Sequence, residues 1–278
     1  MSILIVVDST ANFRASLFTE YRDLFVVPLN IHIGDEVFRE KIDITDEEFY
    51  KRLRKEQFFP KTSQPSAGDF LAVFENAKAG DEGIIFVLSS HLSGTYQSAT
   101  MAAEMLKERS IHVEVIDTQN VSIGVGFMVE RACELSLQGC CLADIMTEML
   151  DLRQKTKLFF FPKTLEYLAR GGRIGRLSKL LGNSLQIKPI ITLIDGIVDS
   201  SEKVRTAAGA QARLISKVEE LAGQLKRLAV VEIDNMEEAL RFREKLQAFY
   251  SGPIPICSVT PVIGAHVGPD ALGIIYHT

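Results

Sequence analysis

The first half of the chain holds a predicted strand at IHVEVIDT and two unbroken apolar runs, SILIVVDS and GIIFVLSS, that end in Asp or Ser. Such runs lack the alternation of a half-exposed strand. Each is predicted to be a strand buried on both faces, as in a parallel sheet, delivering hydroxyls and carboxylates to the loop at its C-terminal end. Segments of helical period separate or follow them: AGDFLAVFENAKA with Ser66 as its cap, HLSGTYQSATMAAEMLKER, and VSIGVGFMVERACELSLQG. Strand and helix in alternation predict a parallel sheet covered on both faces, whose ligands sit beyond the carboxyl ends of the strands. FVVPLNIHI and EVFREKI flank Gly34-Asp35, predicting a hairpin inserted into this unit. ITDEEFYKRLRKE then reads as an amphipathic helix behind a capping box formed by Thr45 and Glu48.

After a further helix, LADIMTEMLDLRQ, the pattern changes. KLFFFPK is a predicted strand and LEYLARGG a short helix closed by glycines, while IKPIITLIDGIVDSSEKVR forms a hairpin turning at Asp195-Gly196. Helix, strand, helix and strand follow in TAAGAQARLISKVEELA, RLAVVEI, NMEEALRFREKLQAFY and PIPICSVTP, ahead of a glycine-rich loop, GAHVGPDALG. The fold class expected is α/β with two domains: an N-terminal parallel-sheet α/β/α domain, residues 1–154, carrying the inserted hairpin, and a C-terminal α/β domain with a mixed sheet, residues 155–278. A ligand cleft is expected between them. Phe159, Phe160 and Phe161 read as a core strand rather than as a lipid contact.

Composition narrows the function classes. At 46% hydrophobic and 24% charged, the 278 residues are those of a globular chain. A net charge of −5 offers no general attraction to a nucleic-acid backbone. The N-terminus has no basic n-region and meets Asp8 after a short apolar run, and no run approaches the roughly 18 residues of a membrane span, so the expected location is cytoplasmic. The cysteines, Cys133, Cys140, Cys141 and Cys257, form no C-x-x-C pair, and neither a metal site nor a cofactor is expected.

Three loops concentrate chemistry that can meet in the cleft. Thr62-Ser63-Gln64-Pro65-Ser66 offers hydroxyls at a helix start, where free N–H groups and the helix dipole favour an anion. Ser93, followed by Gly94, pairs a hydroxyl with an unhindered backbone N–H at the end of a buried strand. His266 lies among Gly264, Gly268 and Gly273, as suits a loop that must approach a ligand closely. Ser93 and His266 also raise a nucleophilic acyl-processing enzyme as an alternative, although no G-x-S-x-G elbow is present.

At these residues the chain resembles the DegV family, whose members include the fatty-acid-binding subunits of bacterial fatty acid kinase. The matching stretches are IVVDST at 5–10, TSQPS at 62–66, SSHLSGTYQSA at 89–99, VIDT at 115–118, LEYLARGGRIG at 165–175 and IGAHVGPDALG at 263–273, in order over nearly the whole chain. The resemblance implies one long-chain fatty acid in an apolar tunnel. Its carboxylate would be held by Thr62 and Ser93, helped by Ser63 and the Gly94 N–H, with His266 completing the network. It further implies a non-catalytic subunit that presents the carboxylate to a separate ATP-dependent kinase, which makes acyl-phosphate for phospholipid synthesis. Another amphiphilic anion stays open as the cargo. Asp270 departs from the family pattern, standing where many members have a glycine. The basic cluster Arg170, Arg173, Arg176 and Lys179, together with Arg205, is expected either to be merely solvated or to dock the kinase or acidic lipid headgroups in transient contact with a membrane surface, with Arg173 and Arg205 the residues to test.

Overall fold

In the computed structural model, which describes residues 3–55, 59–180 and 188–278, the buried apolar runs become a parallel sheet. Strand β1 (Leu4–Asp8) is followed by a single helical turn, α1 (Leu17–Glu20), and by β2 (Leu24–Val27). Pro28, which has no N–H for a ladder, ends β2 and separates it from β3 (Asn30–Ile33). FVVPLNIHI is therefore two strands in two sheets, not one arm of a hairpin. β3 pairs with β4 (Glu36–Arg39) around the expected turn, helix α2 (Asp46–Lys55) follows, and β5 (Lys61–Ser63) adds to the other side of β3. The segment expected to be a loop at Thr62 thus starts as a short edge strand.

Helix α3 (Ala67–Val73), β6 (Glu82–Val87), α4 (Thr95–Glu108), β7 (His112–Asp117), α5 (Ile123–Leu137) and α6 (Leu142–Lys155) complete the first half. Ser66 caps α3 in a full capping box with Asp69. The sheet order is β2-β1-β6-β7, every pair parallel. Side-chain alternation distributes the apolar run over both faces. Ile5, Val7, Ile84 and Phe86 pack under α5 and α6, whereas Val6, Ile85 and Val87 pack under α3 and α4.

Helix α6 runs directly into β8 (Thr156–Phe161), the start of the second sheet. Then come α7 (Glu166–Arg170), a 3-10 turn over Gly175–Leu180, β9 (Lys188–Ile194), β10 (Ile197–Val204), α8 (Ala207–Leu221), β11 (Arg227–Ile233), α9 (Met236–Leu246), β12 (Ile256–Ser258), α10 (Pro261–Val267) and β13 (Ala271–His277). The order is β10-β9-β8-β13-β11-β12, antiparallel except for β11 with β12, a mixed sheet. One face carries α8 and α9; the other contributes Leu158, Phe160, Ile191, Val231 and Ile275 to a core shared with Leu29, Leu88 and Val121 from the first half.

One local expectation changes here. GAHVGPDALG is not one loop: Pro261 begins a short helix that carries His266 in its last turn, and the chain then enters β13. Pro at the first helical position costs no hydrogen bond, which permits a helix where glycine and proline suggested a turn. Asp270 has φ of 63°, a left-handed conformation that glycine adopts freely. Its carboxylate pairs with Arg54 and Lys163, each at 2.9 Å, which offsets the strain of aspartate there.

Candidate functional site

Between the inner face of the second sheet and the loops at the carboxyl ends of the first lies a slot holding about 840 Å³ of atom-free space, its mouth included. Leu88, Val121, Phe160, Val198, Val231 and Ile263 typify its walls; the polar lining groups are Thr62, Ser93, Ser122, Arg173 and His266. Phe160 faces the slot, while Phe159 and Phe161 face α8 and α9, so the Phe run is a core strand with one ring turned to the cavity. No helix among the described residues is long and apolar enough to cross a membrane.

Two of these polar groups, Thr62 and His266, bond directly, and Arg173 and Ser93 are each anchored by their own partners. Thr62 Oγ1 lies 2.7 Å from His266 Nε2, joining β5 to α10 across 204 residues of sequence. The other face of the imidazole packs on Gly171, where an added Cβ would collide with Nδ1. Arg173 donates through Nη1 to the Gly171 carbonyl at 2.6 Å and through Nε to the Leu92 carbonyl at 3.0 Å, which places the guanidinium between His266 and the Ser93 loop. Ser93 Oγ is 2.9 Å from Thr95 Oγ1 at the start of α4. Helix α10 approaches closely enough that Gly264 rests on the Tyr50 hydroxyl, and Gly268, with φ of 80°, turns the chain against the Tyr167 ring.

A model described as "Uncharacterised protein, DegV family" matches residues 2–278. The chain belongs to the DegV family. It is 34% identical to a DegV domain-containing protein of Clostridium acetobutylicum over 283 aligned residues, covering 100% of this chain and 98% of that one. In three dimensions it is similar to a DegV family protein of Thermus thermophilus described for its fatty acid binding, with a TM-score of 0.87, 32% identity and full coverage of both chains. The Fak B3 protein of the Streptococcus pneumoniae fatty acid kinase, loaded with linoleic acid, has a TM-score of 0.84 at 23% identity, covering 100% of this chain and 99% of that one, a likeness of fold.

Within this DegV fold, burial pushes the His266 pKa down to about 4, with Arg173 adding to the effect, so the imidazole is neutral near pH 7. Its Nδ1 is buried without a partner among the described residues. An orphaned N–H is costlier than an orphaned lone pair, so the proton is assigned to Nε2. His266 then donates to Thr62 Oγ1, which leaves the Thr62 O–H to donate into the slot. A neutral histidine thereby orients a neutral hydroxyl toward an anion.

The remaining expected residues are placed differently. Ser63 points to the opposite side of β5 from Thr62, its Oγ 2.9 Å from His32 Nε2, and does not line the slot. Gly94 is outside the lining too; a Cβ there would fall 2.6 Å from Gln64 Nε2, so its bare Cα lets the Thr62 and Ser93 loops meet. Arg205 is exposed beyond β10, away from the slot lining. Arg170 pairs with Glu166 at 2.7 Å and stacks over Phe59, and Arg176 pairs with Asp199 at 3.2 Å. Arg173, by contrast, is a cavity group, and Ser122, which donates to Asn12 Oδ1 at 2.8 Å from a left-handed φ of 56°, is a lining residue that carried no motif. Ser93 and His266 bond to different threonines rather than to each other.

Proposed function

We propose that this protein binds one long-chain fatty acid in the apolar slot, its carboxylate received by Thr62, Ser93 and Arg173, with His266 orienting the Thr62 hydroxyl. The observation that carries the proposal is the division of the slot: apolar walls, with the donors Thr62, Ser93 and Arg173 among the few polar lining groups and His266 bonded behind Thr62. Burying a carboxylate without partners costs several kcal/mol, and these donors supply them. The tail provides affinity at about 0.8 kcal/mol per buried CH₂, so ten methylenes contribute roughly 8 kcal/mol before the cost of association.

The carboxylate end is held mainly by neutral hydroxyls, while two of the Arg173 nitrogens are committed to backbone carbonyls. That arrangement leaves a carboxylate oxygen accessible for transfer chemistry rather than locked in a bidentate pair. The protein on this proposal is a lipid-binding subunit without activity of its own, presenting its cargo to a separate ATP-dependent kinase that forms the acyl-phosphate. The chain divides at the junction of α6 and β8 into units 1–154 and 155–278, with the slot between them.

Native mass spectrometry of the freshly purified protein, followed by extraction and identification of the released material, tests the first half. A stoichiometric fatty acid is expected; a chain still empty after incubation with fatty acids overturns it. Incubating the loaded protein with ATP, with and without a purified fatty acid kinase, tests the second. Acyl-phosphate only in the presence of kinase is expected, and acyl-phosphate or acyl transfer by the protein alone refutes the non-catalytic role.

A further inference from the structure

Glu40 is buried, at 1% exposure, yet it lies outside the slot lining. Its position in the fold links three elements. The backbone N–H of Glu40 donates to the Leu29 carbonyl at 2.9 Å, which fixes the residue just after β4. One carboxylate oxygen accepts the Ser9 hydroxyl at 2.5 Å, at the carboxyl end of β1. The other accepts the backbone N–H of Val262 at 2.6 Å, across 222 residues of sequence.

Val262 is the second residue of α10, the helix that carries His266. Pro261 has no N–H, and the side chain of Thr260 makes no cap bond, so the first turn of α10 has no local acceptor. Glu40 supplies one from the first half of the chain, with the sign of charge a helix start favours. The same insertion grips the helix further along, through Tyr50 against Gly264 and Thr62 against His266. Start, middle and end of α10 thus rest on Glu40 just after β4, Tyr50 of α2 and Thr62 of β5.

We propose that Glu40 is a positioning residue for the carboxylate site, holding α10 so that His266 meets Thr62. The proposal rests on the fatty-acid reading of the slot for its ligand but not for its geometry. Burial pushes the Glu40 carboxyl up to about 7, against the opposing pull of its bonds from Ser9 and Val262 and of nearby Lys41. Protonation would leave Val262 its acceptor and reverse the Ser9 bond, because Ser9 Oγ already accepts the Leu29 N–H and can accept the new O–H as well. The charge facing the helix start would be lost. Among the described residues, the titratable groups coupled to this position are Lys41 beside it and Tyr50 of α2, whose hydroxyl donates to the Val259 carbonyl at 2.6 Å.

The experiment has two readouts. In lipid-free protein, the ring signals of His266 are followed by NMR from pH 5.5 to 8.5 in wild type, Glu40→Gln and Glu40→Ala, with His266→Ala giving the assignment. The ring signals are expected to move in Glu40→Ala, which loses the acceptor of the Val262 N–H, and to stay close to wild type in Glu40→Gln, which keeps one; signals in Glu40→Ala identical to wild type overturn the proposal. In the second readout, fatty-acid affinity at pH 8 is measured for Glu40→Ala, His266→Ala and the double variant. Glu40→Ala is expected to bind about tenfold more weakly, and the double variant no more weakly than His266→Ala. Multiplicative losses would show that Glu40 acts other than through His266 and would refute the role. Glu40→Gln, which keeps an acceptor for Val262, guards against misfolding of Glu40→Ala. A wild type that binds no fatty acid would sink the functional proposal while leaving the NMR result decisive for Glu40.

Discussion

Replacing Gly171 by Ala makes a sharp test of the site, because local preference and tertiary contact point in opposite directions. Gly171 ends α7 with φ of −73° and ψ of −8°, a right-handed conformation that alanine adopts without strain. On that ground alone the substitution would stabilise the protein by about 0.4–1 kcal/mol through the unfolded chain. The new Cβ, however, collides with His266 Nδ1 and lies 3.1 Å from His266 Cε1 and 3.0 Å from the Tyr167 carbonyl oxygen. Ordinary carbon contacts need about 3.5 Å, so the imidazole must move by on the order of 1 Å. A bond of 2.7 Å to Thr62 does not survive a displacement of that size along its axis. Overpacking of this kind costs about 1–3 kcal/mol, which outweighs the gain from alanine. Loss of an oriented donor to a carboxylate weakens binding by roughly ten- to a hundredfold. The assay is calorimetric titration of delipidated protein with a long-chain fatty acid, beside thermal melts, with Gly223→Ala as the control because no atom lies within 4 Å of its added Cβ. Wild-type affinity in Gly171→Ala, with His266 unshifted, would refute the geometry on which the site is built.

Other perturbations separate the head group, the tail and the protonation of the site. Because burial lowers the His266 pKa from 6.5 to about 4, the folded chain binds fewer protons than the unfolded one between those values, so stability from this residue falls as pH drops through 6.5 to 4, by on the order of 3 kcal/mol at most. Glu40, raised from 4.5 to about 7, contributes in the opposite sense, its stability being lost as pH rises through that window. Urea melts from pH 4 to 8 should therefore show a smaller loss on acidification in His266→Gln than in wild type, and parallel curves would contradict the burial. Arg173→Met should weaken fatty-acid binding several-fold without kinase present, whereas Arg205→Met should leave that binding unchanged; equal effects in the titration would show that Arg173 is not a cavity group. Val231→Phe should fill part of the slot, lowering affinity for long acyl chains at least tenfold while holding or raising the melting temperature; undiminished affinity would mean that the tail lies elsewhere.

Much of this protein was legible in its residues, for reasons that differ from element to element. The runs at Ile5–Val7 and Ile84–Phe86 are apolar on both faces, and only a strand covered on both sides accepts that, so the parallel sheet followed directly. Ser66 marks a helix start by chemistry that acts within three residues, and the structure completes its capping box with Asp69. His266, Thr62 and Ser93 stood out because glycines and hydroxyls had no structural need in such numbers, and the slot brings all three together. Ser63 failed to join them since neighbouring residues on a strand face opposite ways, and strand β5 exists only by pairing with β3. Arg173 was visible as a charge but not as a lining group, because what anchors it, the Leu92 and Gly171 carbonyls, is an accident of folding rather than of spacing.

Sequence alone decided what is governed by near neighbours: which long apolar or periodic runs are strands or helices, where the Ser66 cap falls, and which polar residues the loops carry. Tertiary structure decided what depends on contacts over great distance in the chain. The helical state of Pro261–Val267, the assignment of the His266 proton and the role of Glu40 all rest on bonds spanning 204 to 222 residues, from Thr62 to His266 and from Glu40 to Val262. No local propensity encodes such pairs. They form because burial withdraws water from each donor and acceptor, and each must then find its partner wherever the fold has brought one.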